Sequence, residues 1–375
     1  MHTVGVLRGL VMAAGICLLA APSLADIKSF NAAVQANDYK RATAEAAATW
    51  PTLNKSRKDI AIIAREFAFA AYKGGDSAAA KTYAEAAIAA GQAEAEDLRL
   101  ASEILLLLAE HTLAPSESTR DKVYVALEKR AALPDMDMIA YDAAEEIVFF
   151  DFARTDWKDA AGSSALGAKL AAKGGELLAP QRHRFDLNAA VASFMNRRTQ
   201  QPYDDLQALT LRIVADVDAA PDDAAAKRFE DVYWDVSAWS VAIQSLLTME
   251  KRFTANAGTS SFLLGASAGD RAARLLNLRV DDPACVPTRK AQDLPDYPDM
   301  AVFSGIAGAV IVQFDTDEQG AILNPRILAA APSKIFGDAV LRHMRQARYE
   351  PGAKWGPGCS LARQARTATY SFFLR

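Results

Sequence analysis

A short acidic stretch near the C-terminus is the first place where this sequence could carry chemistry. In VIVQFDTDEQGAIL, residues 310–323, Asp315 and Asp317 precede Gly320 with the spacing of a calcium-binding loop. Such a loop has a bidentate Glu at its twelfth position, where this chain has Arg326, and it lies between helices rather than strands. A catalytic pair of carboxylates would need a pocket that perturbs their pKa values. The stretch is therefore predicted to be a turn in which Gly320 supplies a positive φ.

A second candidate is GASAG, residues 265–269, which matches the G-x-S-x-G motif of serine hydrolases with Ser267 as the nucleophile. That motif lies between a strand and a helix of a parallel sheet, and it needs a histidine further along the chain. His343 is the one histidine that follows, and the surrounding sequence is helical. The pattern favours a small-residue loop, so we predict no catalytic residue.

Metal and cofactor sites are not predicted either. The four histidines are dispersed along the chain, whereas a metal site needs clustered ligands. The sequence lacks the glycine patterns that bind phosphates or dinucleotides. A formal net charge of −4 argues against nucleic-acid binding, which usually requires a basic protein.

Residues 1–25 are predicted to form a secretory signal peptide. Arg8 precedes an apolar run over residues 9–21, and the small residues Ser23 and Ala25 follow it, which is the layout of a cleavable signal. The run is shorter than the ~20 residues that span a bilayer. An uncleaved anchor over residues 4–25 is the alternative.

Export from the cytoplasm would allow the cysteines to form a disulfide. Once the signal is removed, Cys285 and Cys359 remain, and two cysteines in an exported chain are disulfide candidates. Since both lie in the C-terminal region, a bond would staple a single domain. Two free buried thiols are the alternative.

From residue 26 to about residue 282, the sequence predicts an array of helical hairpins. Residues 64–91 contain a helix with large apolar side chains, a Gly-Gly-Asp turn ending at Asp76, and an alanine-rich helix. Residues 30–51 repeat this arrangement around Asp38, and later breaks follow at intervals of ~38–47 residues. The first two units resemble tetratricopeptide repeats. Stacked hairpins of this kind form a solenoid with a concave face.

An aromatic cluster, Tyr233, Trp234 and Trp239, lies late in this array. One interpretation is a peptide-binding hot spot, because such residues are enriched there. The other is helix-packing core, which the helical context favours.

The composition changes at about residue 282. Prolines within residues 281–300 interrupt the helical pattern and indicate a linker. Beyond it, residues 309–315 and 366–375 alternate with a period of two, and residues 321–328 and 333–347 read as a returning strand and a helix. The order predicts a small α+β domain over residues 283–375, with a three-stranded antiparallel sheet and one main helix. The whole chain is thus expected to be mainly α with this C-terminal addition.

Several short motifs occur in order in the C-terminal region. They are Tyr297-Pro298, G-x-x-G-x-V-x-V-x-F over residues 305–314, D-x-x-G over residues 317–320, P-x-x-x-F-x-D-A over residues 332–339, and RYEP over residues 348–351. Together they resemble the C-terminal domain of TonB-family proteins, over about residues 296–375. The resemblance implies a non-enzymatic periplasmic domain that binds an envelope protein or peptide. In the family, the last strand receives an extended peptide of an outer-membrane receptor.

The resemblance places the partner-binding contacts on the last strand. The predicted residues are Thr367, Thr369, Tyr370, Ser371, Phe372 and Phe373. A basic helix face, formed by Arg342, Arg345 and Arg348, is a second candidate surface for an acidic partner or phosphate head groups. A solvated face is the more ordinary interpretation of such a charge run.

Three features depart from a motor-coupled TonB protein: the cleavable signal, the helical array in place of a Pro/Lys-rich spacer, and the cysteine pair. The leading hypothesis is therefore a periplasmic binding or scaffold protein, whose array holds one partner and whose C-terminal domain holds another. An atypical energy transducer, or an accessory of TonB-dependent transport with a TonB-dependent receptor as partner, is the alternative. Membrane association would be peripheral at most. The edge strand is either open or covered by the solenoid or by a second copy in a homodimer.

Overall fold

The computed structural model describes residues 24–252, 268–278, 285–290, 295–303, 306–332 and 334–372. The chain forms two compact units, residues 1–150 and residues 151–375. The signal segment, except for its last two residues, lies outside the described residues, as do Ser267 and Phe373.

The described part of the chain up to residue 252 is helical, as the sequence predicts. Its helices are α1 (Leu24–Gln35), α2 (Tyr39–Thr49), α3 (Ile60–Lys73), α4 (Ser77–Ala90), α5 (Glu96–Leu113), α6 (Glu117–Ala132), α7 (Met138–Ala153), α8 (Trp157–Ala172), α9 (Ala179–Arg197), α10 (Gln201–Ala219), α11 (Asp223–Lys227) and α12 (Glu230–Met249). A short helix, α13 (Asp270–Leu275), precedes the C-terminal region.

Three hairpin turns share one construction. They are Asn37-Asp38, Gly75-Asp76 and Thr155-Asp156, in which the first residue has a φ of 54°, 82° and 57°, respectively. The aspartate then caps the next helix, since its Oδ1 accepts the backbone N–H three residues on at 3.0 to 3.3 Å. Ser116 caps α6 between the second and third of these turns. The four caps recur at 38 to 40 residues, so the predicted hairpin period is confirmed.

Small residues bring the helices of the first unit together. Ala42 on α2 and Ala80 on α4 are fully buried, which allows close helix contact. The larger side chains fill the remaining space, with the Phe67 ring 4.6 Å from that of Phe30 and 5.7 Å from that of Tyr83. The apolar faces predicted from the sequence are therefore packed between neighbouring helices.

The C-terminal region contains the predicted sheet and helix. Its elements are β1 (Thr288–Arg289), α14 (Asp299–Phe303), β2 (Gly308–Thr316), β3 (Ile322–Ala331), α15 (Ile335–Met344), β4 (Tyr349–Glu350) and β5 (Arg363–Phe372). The main sheet is antiparallel with the order β3-β2-β5, and β1 pairs separately with β4. At Pro325 the β2–β3 register shifts by one residue, which is the distortion expected of a strand proline.

Both faces of the central strand β2 are covered. On one face, Val310, Val312 and Phe314 pack with Phe336 of α15. On the other face, Ile311 and its neighbours share a core with the helices of the second unit, and α12 contacts β2, β3 and β5.

This second core also decides between the two interpretations of the aromatic cluster. Tyr233 and Trp234 of α12 are buried in it, and Trp239 packs against it, so the cluster is helix-packing core. The boundary predicted at residue 282 lies inside the second unit, and a division of the chain there remains a prediction.

Candidate functional site

The candidate site is the outer edge of β5. In the order β3-β2-β5, this strand has β2 on one side, with pairs that run from Thr367 opposite Gln313 to Phe372 opposite Gly308. On its other side, none of the strands in the described ranges pairs with it. Backbone N–H and C=O groups on such an edge can bond to an added strand.

A bulge marks the start of the usable edge. Ala365 has a φ of 54°, and its N–H donates to the Asp315 carboxylate at 2.9 Å. The side-chain amide of Asn277 donates to the Ala365 carbonyl oxygen. Since both backbone groups of Ala365 are engaged within the chain, the regular edge begins beyond it and runs to Phe372.

Side chains alternate along this edge. Tyr370 and Phe372 are buried beneath the sheet against α15, whereas Thr367, Thr369 and Ser371 are exposed. Three of the six predicted contact residues therefore present small polar side chains to solvent, and two serve as core.

Tyr370 is anchored from two elements. Its hydroxyl donates to the Met344 sulfur at 3.1 Å and accepts from Arg289 at 2.9 Å, so α15 and β1 both hold the strand in place. Burial raises the pKa of Tyr370, while Arg289 opposes that shift. The phenol stays protonated at neutral pH and keeps both contacts.

The predicted basic face lies at the end of α15 and just after it. Arg342, Arg345 and Arg348 are all exposed. The backbone of Arg348 forms a bridge with Ala321 next to the start of β3, so this residue also helps to place β4. The role of this face stays a prediction.

The acidic stretch is a turn, as predicted. One carboxylate oxygen of Asp317 accepts the backbone N–H groups of Gln319 and Ala321 at 3.0 and 2.8 Å. Gly320 has a φ of 74°, and its carbonyl oxygen accepts the Tyr349 N–H at 2.8 Å. Asp317 therefore organises the β2–β3 connection, and Gly320 joins that connection to β4.

The histidines that the structure describes have structural surroundings. His183 is fully buried, with Nε2 2.7 Å from a carboxylate oxygen of Asp216, and burial lowers its pKa. His111 lies 2.9 Å from the Thr119 hydroxyl. In the described ranges, no group of three metal-binding side chains comes together. Within those same ranges, no helix is long and apolar enough to cross a membrane.

Cys285 and Cys359 are joined by a disulfide, with their Cα atoms 5.2 Å apart. The bond ties the segment that carries β1 to the loop that leads into β5. Because β1 supplies Arg289 to Tyr370, the disulfide supports one of the two anchors of the edge strand.

The architecture defines a small α+β module in which the outer side of β5 pairs with none of the described strands. Its residues 293–361 match the family model described as Gram-negative bacterial TonB protein C-terminal, so the predicted resemblance is confirmed for this segment. Similar proteins include Protein TonB of Yersinia enterocolitica, 45% identical over 56 residues, which are 15% of this chain and 22% of that protein. Protein TonB of Escherichia coli K12 is 38% identical over 73 residues, or 20% of this chain and 30% of the relative. The chain thus spans less than a third of the length of these relatives.

Proposed function

We propose that this protein is a non-enzymatic periplasmic binding or scaffold protein of the bacterial cell envelope. Its C-terminal module would bind an extended segment of a partner protein or peptide by strand addition to β5. The observation that carries this proposal is the outer side of β5, which pairs with no strand that the structure describes.

The composition of the edge supports this use. Natural edge strands are usually protected by lysines, prolines, bulges or a covering element. Residues 367–372, TATYSF, contain neither charge nor proline, and the bulge at Ala365 lies before them. The face of β5 that carries Tyr370 and Phe372 is packed against α15, so an added strand would pair along the outer edge, beside the exposed Thr367, Thr369 and Ser371.

Two observations support a location in the cell envelope. The signal-like segment of residues 1–25 predicts export to the periplasm, and the C-terminal match is to proteins named TonB. A TonB-dependent receptor is therefore one candidate partner. A second copy of this chain is another occupant of the same edge.

A photo-crosslinking amino acid at Thr369 tests the proposal in the native envelope. We expect Thr369 to crosslink to a partner, whereas Val125, an exposed position on α6, should not yield the same product. Self-crosslinking alone would identify a homodimer. Equal products from both positions would contradict the proposal.

Two proline variants make this test specific. Backbone N–H groups alternate between the two sides of a strand, so Ala368→Pro and Thr369→Pro each remove a donor from a different side. One variant should lose stability, because it breaks a bond to β2. The other should keep its stability and lose the crosslinked partner, read in both variants with the photo-crosslinking amino acid moved to the exposed position Ser371. Crosslinking that survives in this stable variant would count against strand addition.

The alternative, an atypical transducer or transport accessory, is favoured by the names of the relatives. The N-terminal residue of the mature protein separates the two proposals. Asp26 would mean that the segment before it has been removed, whereas a retained Met1 in the inner membrane would favour the transducer.

A further inference from the structure

We infer that one face of the first unit binds a basic segment of a partner protein, whose lysine or arginine side chains lie against aromatic rings and carboxylates. The face is formed by α3 and α7, with Tyr72, Glu146 and Phe149 at its centre, and we call it the first-unit face. The inference goes beyond strand addition to β5 and does not depend on it, because all of its central residues belong to residues 1–150.

The same pair of residues recurs on α3 and α7. Glu66 and Phe69 on α3 lie ten and seven residues before the aspartate that caps α4. Glu146 and Phe149 on α7 lie at the same distances before the aspartate that caps α8. Residues three apart share one face of a helix, so each helix presents a carboxylate next to an aromatic ring.

The two helices meet at the first-unit face. Lys73 at the end of α3 forms an ion pair with Asp142 of α7, and Tyr72 interacts with Glu146 one turn further along α7. Phe149 follows Glu146 by three residues, so its ring lies within a turn of this contact. Of Phe149, 71% is exposed. The face therefore offers a solvent-accessible ring beside a carboxylate.

Lys73 shows how a cation is held here. Its Nζ lies 3.0 Å from a carboxylate oxygen of Asp142 and 6.0 Å from the centroid of the Phe69 ring. An ammonium group in such a place gains both an ion pair and a cation–π contact. The corresponding position on α7, seven residues after Glu146, is Ala153. The α7 copy of the pattern thus has alanine where α3 supplies its own cation, and a lysine or arginine of a partner would take that place.

The electrostatic field at the first-unit face favours a cation. Burial raises the pKa of Tyr72, and three carboxylates raise it further, those of Glu146, Asp142 and Glu145. Burial also raises the pKa of Asp142 and of Glu146, because it withdraws their carboxylates from water. The ammonium of Lys73 opposes the shift at Asp142, whereas at Glu146 the opposing contact is the neutral Tyr72 hydroxyl. A partner cation beside Glu146 would offset this cost, so charge complementarity selects a basic segment.

Fluorescence anisotropy with the protein as purified from its own cells tests this inference. The probes are labelled octapeptides of alternating arginine and leucine, and two matched peptides with glutamine or glutamate in place of arginine. We expect the arginine peptide to bind about tenfold more tightly than the glutamine peptide, as for one charge-assisted hydrogen bond, and the glutamate peptide not to bind. Added salt should narrow the difference, because it screens charges at the surface.

Two pairs of variants make the test specific to this face. Glu146→Gln removes the charge but keeps an oxygen for Tyr72, so it should abolish the preference for arginine. Phe149→Ala should weaken the arginine peptide roughly threefold, as for a cation–π contact at an exposed site. On α6, Val125 and Glu128 are an exposed apolar residue and an exposed acid, also three residues apart. Val125→Ala and Glu128→Gln are therefore the matched controls, and both should bind the arginine peptide like the wild type.

Three results would overturn the inference. They are equal binding of the arginine and glutamine peptides, no binding of the arginine peptide, and equal losses in Glu146→Gln and Glu128→Gln, which would indicate attraction to the overall charge of the chain. Thermal midpoints equal to that of the wild type show that the variants remain folded. Strand addition is read separately, by crosslinking at Thr369, so none of these results would decide against it.

Discussion

Removal of the disulfide between Cys285 and Cys359 should destabilise the second unit specifically. The bond joins residues 74 positions apart. A cross-link stabilises a fold mainly by restricting the unfolded chain, and a loop of this length corresponds to about 4.5 kcal/mol at 25 °C in the chain-entropy model. The closed loop contains β2, β3 and α15, so the loss should be felt throughout the main sheet.

Hydrogen exchange measured by mass spectrometry can localise this loss. In the double variant Cys285→Ala/Cys359→Ala, amides of β2 and β3 should exchange roughly a thousandfold faster than in the wild type, because every 1.4 kcal/mol is a factor of ten. Amides of α3 and α4 in the first unit should be unaffected, and they serve as an internal control. Reductant should reproduce the effect in the wild type and change nothing in the double variant.

Two results would refute this reasoning. Exchange in β2 and β3 within tenfold of the wild type would show that the bond does not restrict the unfolded chain as the entropy model requires. An equal acceleration in α3 and α4 would show that the two units do not unfold separately.

Three further predictions concern single residues. Gly320→Ala should destabilise the second unit by about 1–3 kcal/mol and so lower its thermal midpoint, because φ is positive there and a Cβ would overlap the Tyr349 carbonyl oxygen; an unchanged midpoint would contradict this. Ile311→Ala should cost about 2–5 kcal/mol in urea unfolding, since Ile311 is buried on the α12 side of the sheet, whereas exposed Leu323→Ala should cost less than about 0.5 kcal/mol. His183→Gln should flatten the pH dependence of stability below neutrality. Burial lowers the folded-state pKa of His183 from its usual 6.5, so the unfolded state binds the proton first and wild-type stability falls as the pH drops through 6.5; parallel pH profiles of the two proteins would refute it.

Much of the fold is encoded locally, and this part was predictable. The hairpin turns at Asp38 and Asp76 are visible because a cap and a left-handed residue are short-range features. The strand-strand-helix-strand order was likewise readable from periodicity. The pairing of β1 with β4 and the burial of Ile311 against α12 were not predicted, because these contacts join segments far apart in the sequence.

In the candidate site, too, local features were predictable and contacts between distant segments were not. Alternation predicted a strand over residues 366–375, and the family resemblance assigned the partner contacts to it, but neither told which of the predicted contact residues would be buried against α15. Tyr370 and Phe372 proved to be core, and the exposed face is threonine and serine. The bulge at Ala365 left one sequence signal, a break in the alternation between Arg363 and Arg366. Asn277 gave none, because its contact with the strand spans 88 residues.

The burial of the sheet against α12 has a consequence for how this module would find a partner. A domain on a long flexible spacer explores a large volume and can search for its ligand. Here the sheet and α12 share one apolar core, so the strand edge has a fixed direction and little reach of its own. Encounter then depends on the partner segment, which has to be long and mobile enough to come to the edge.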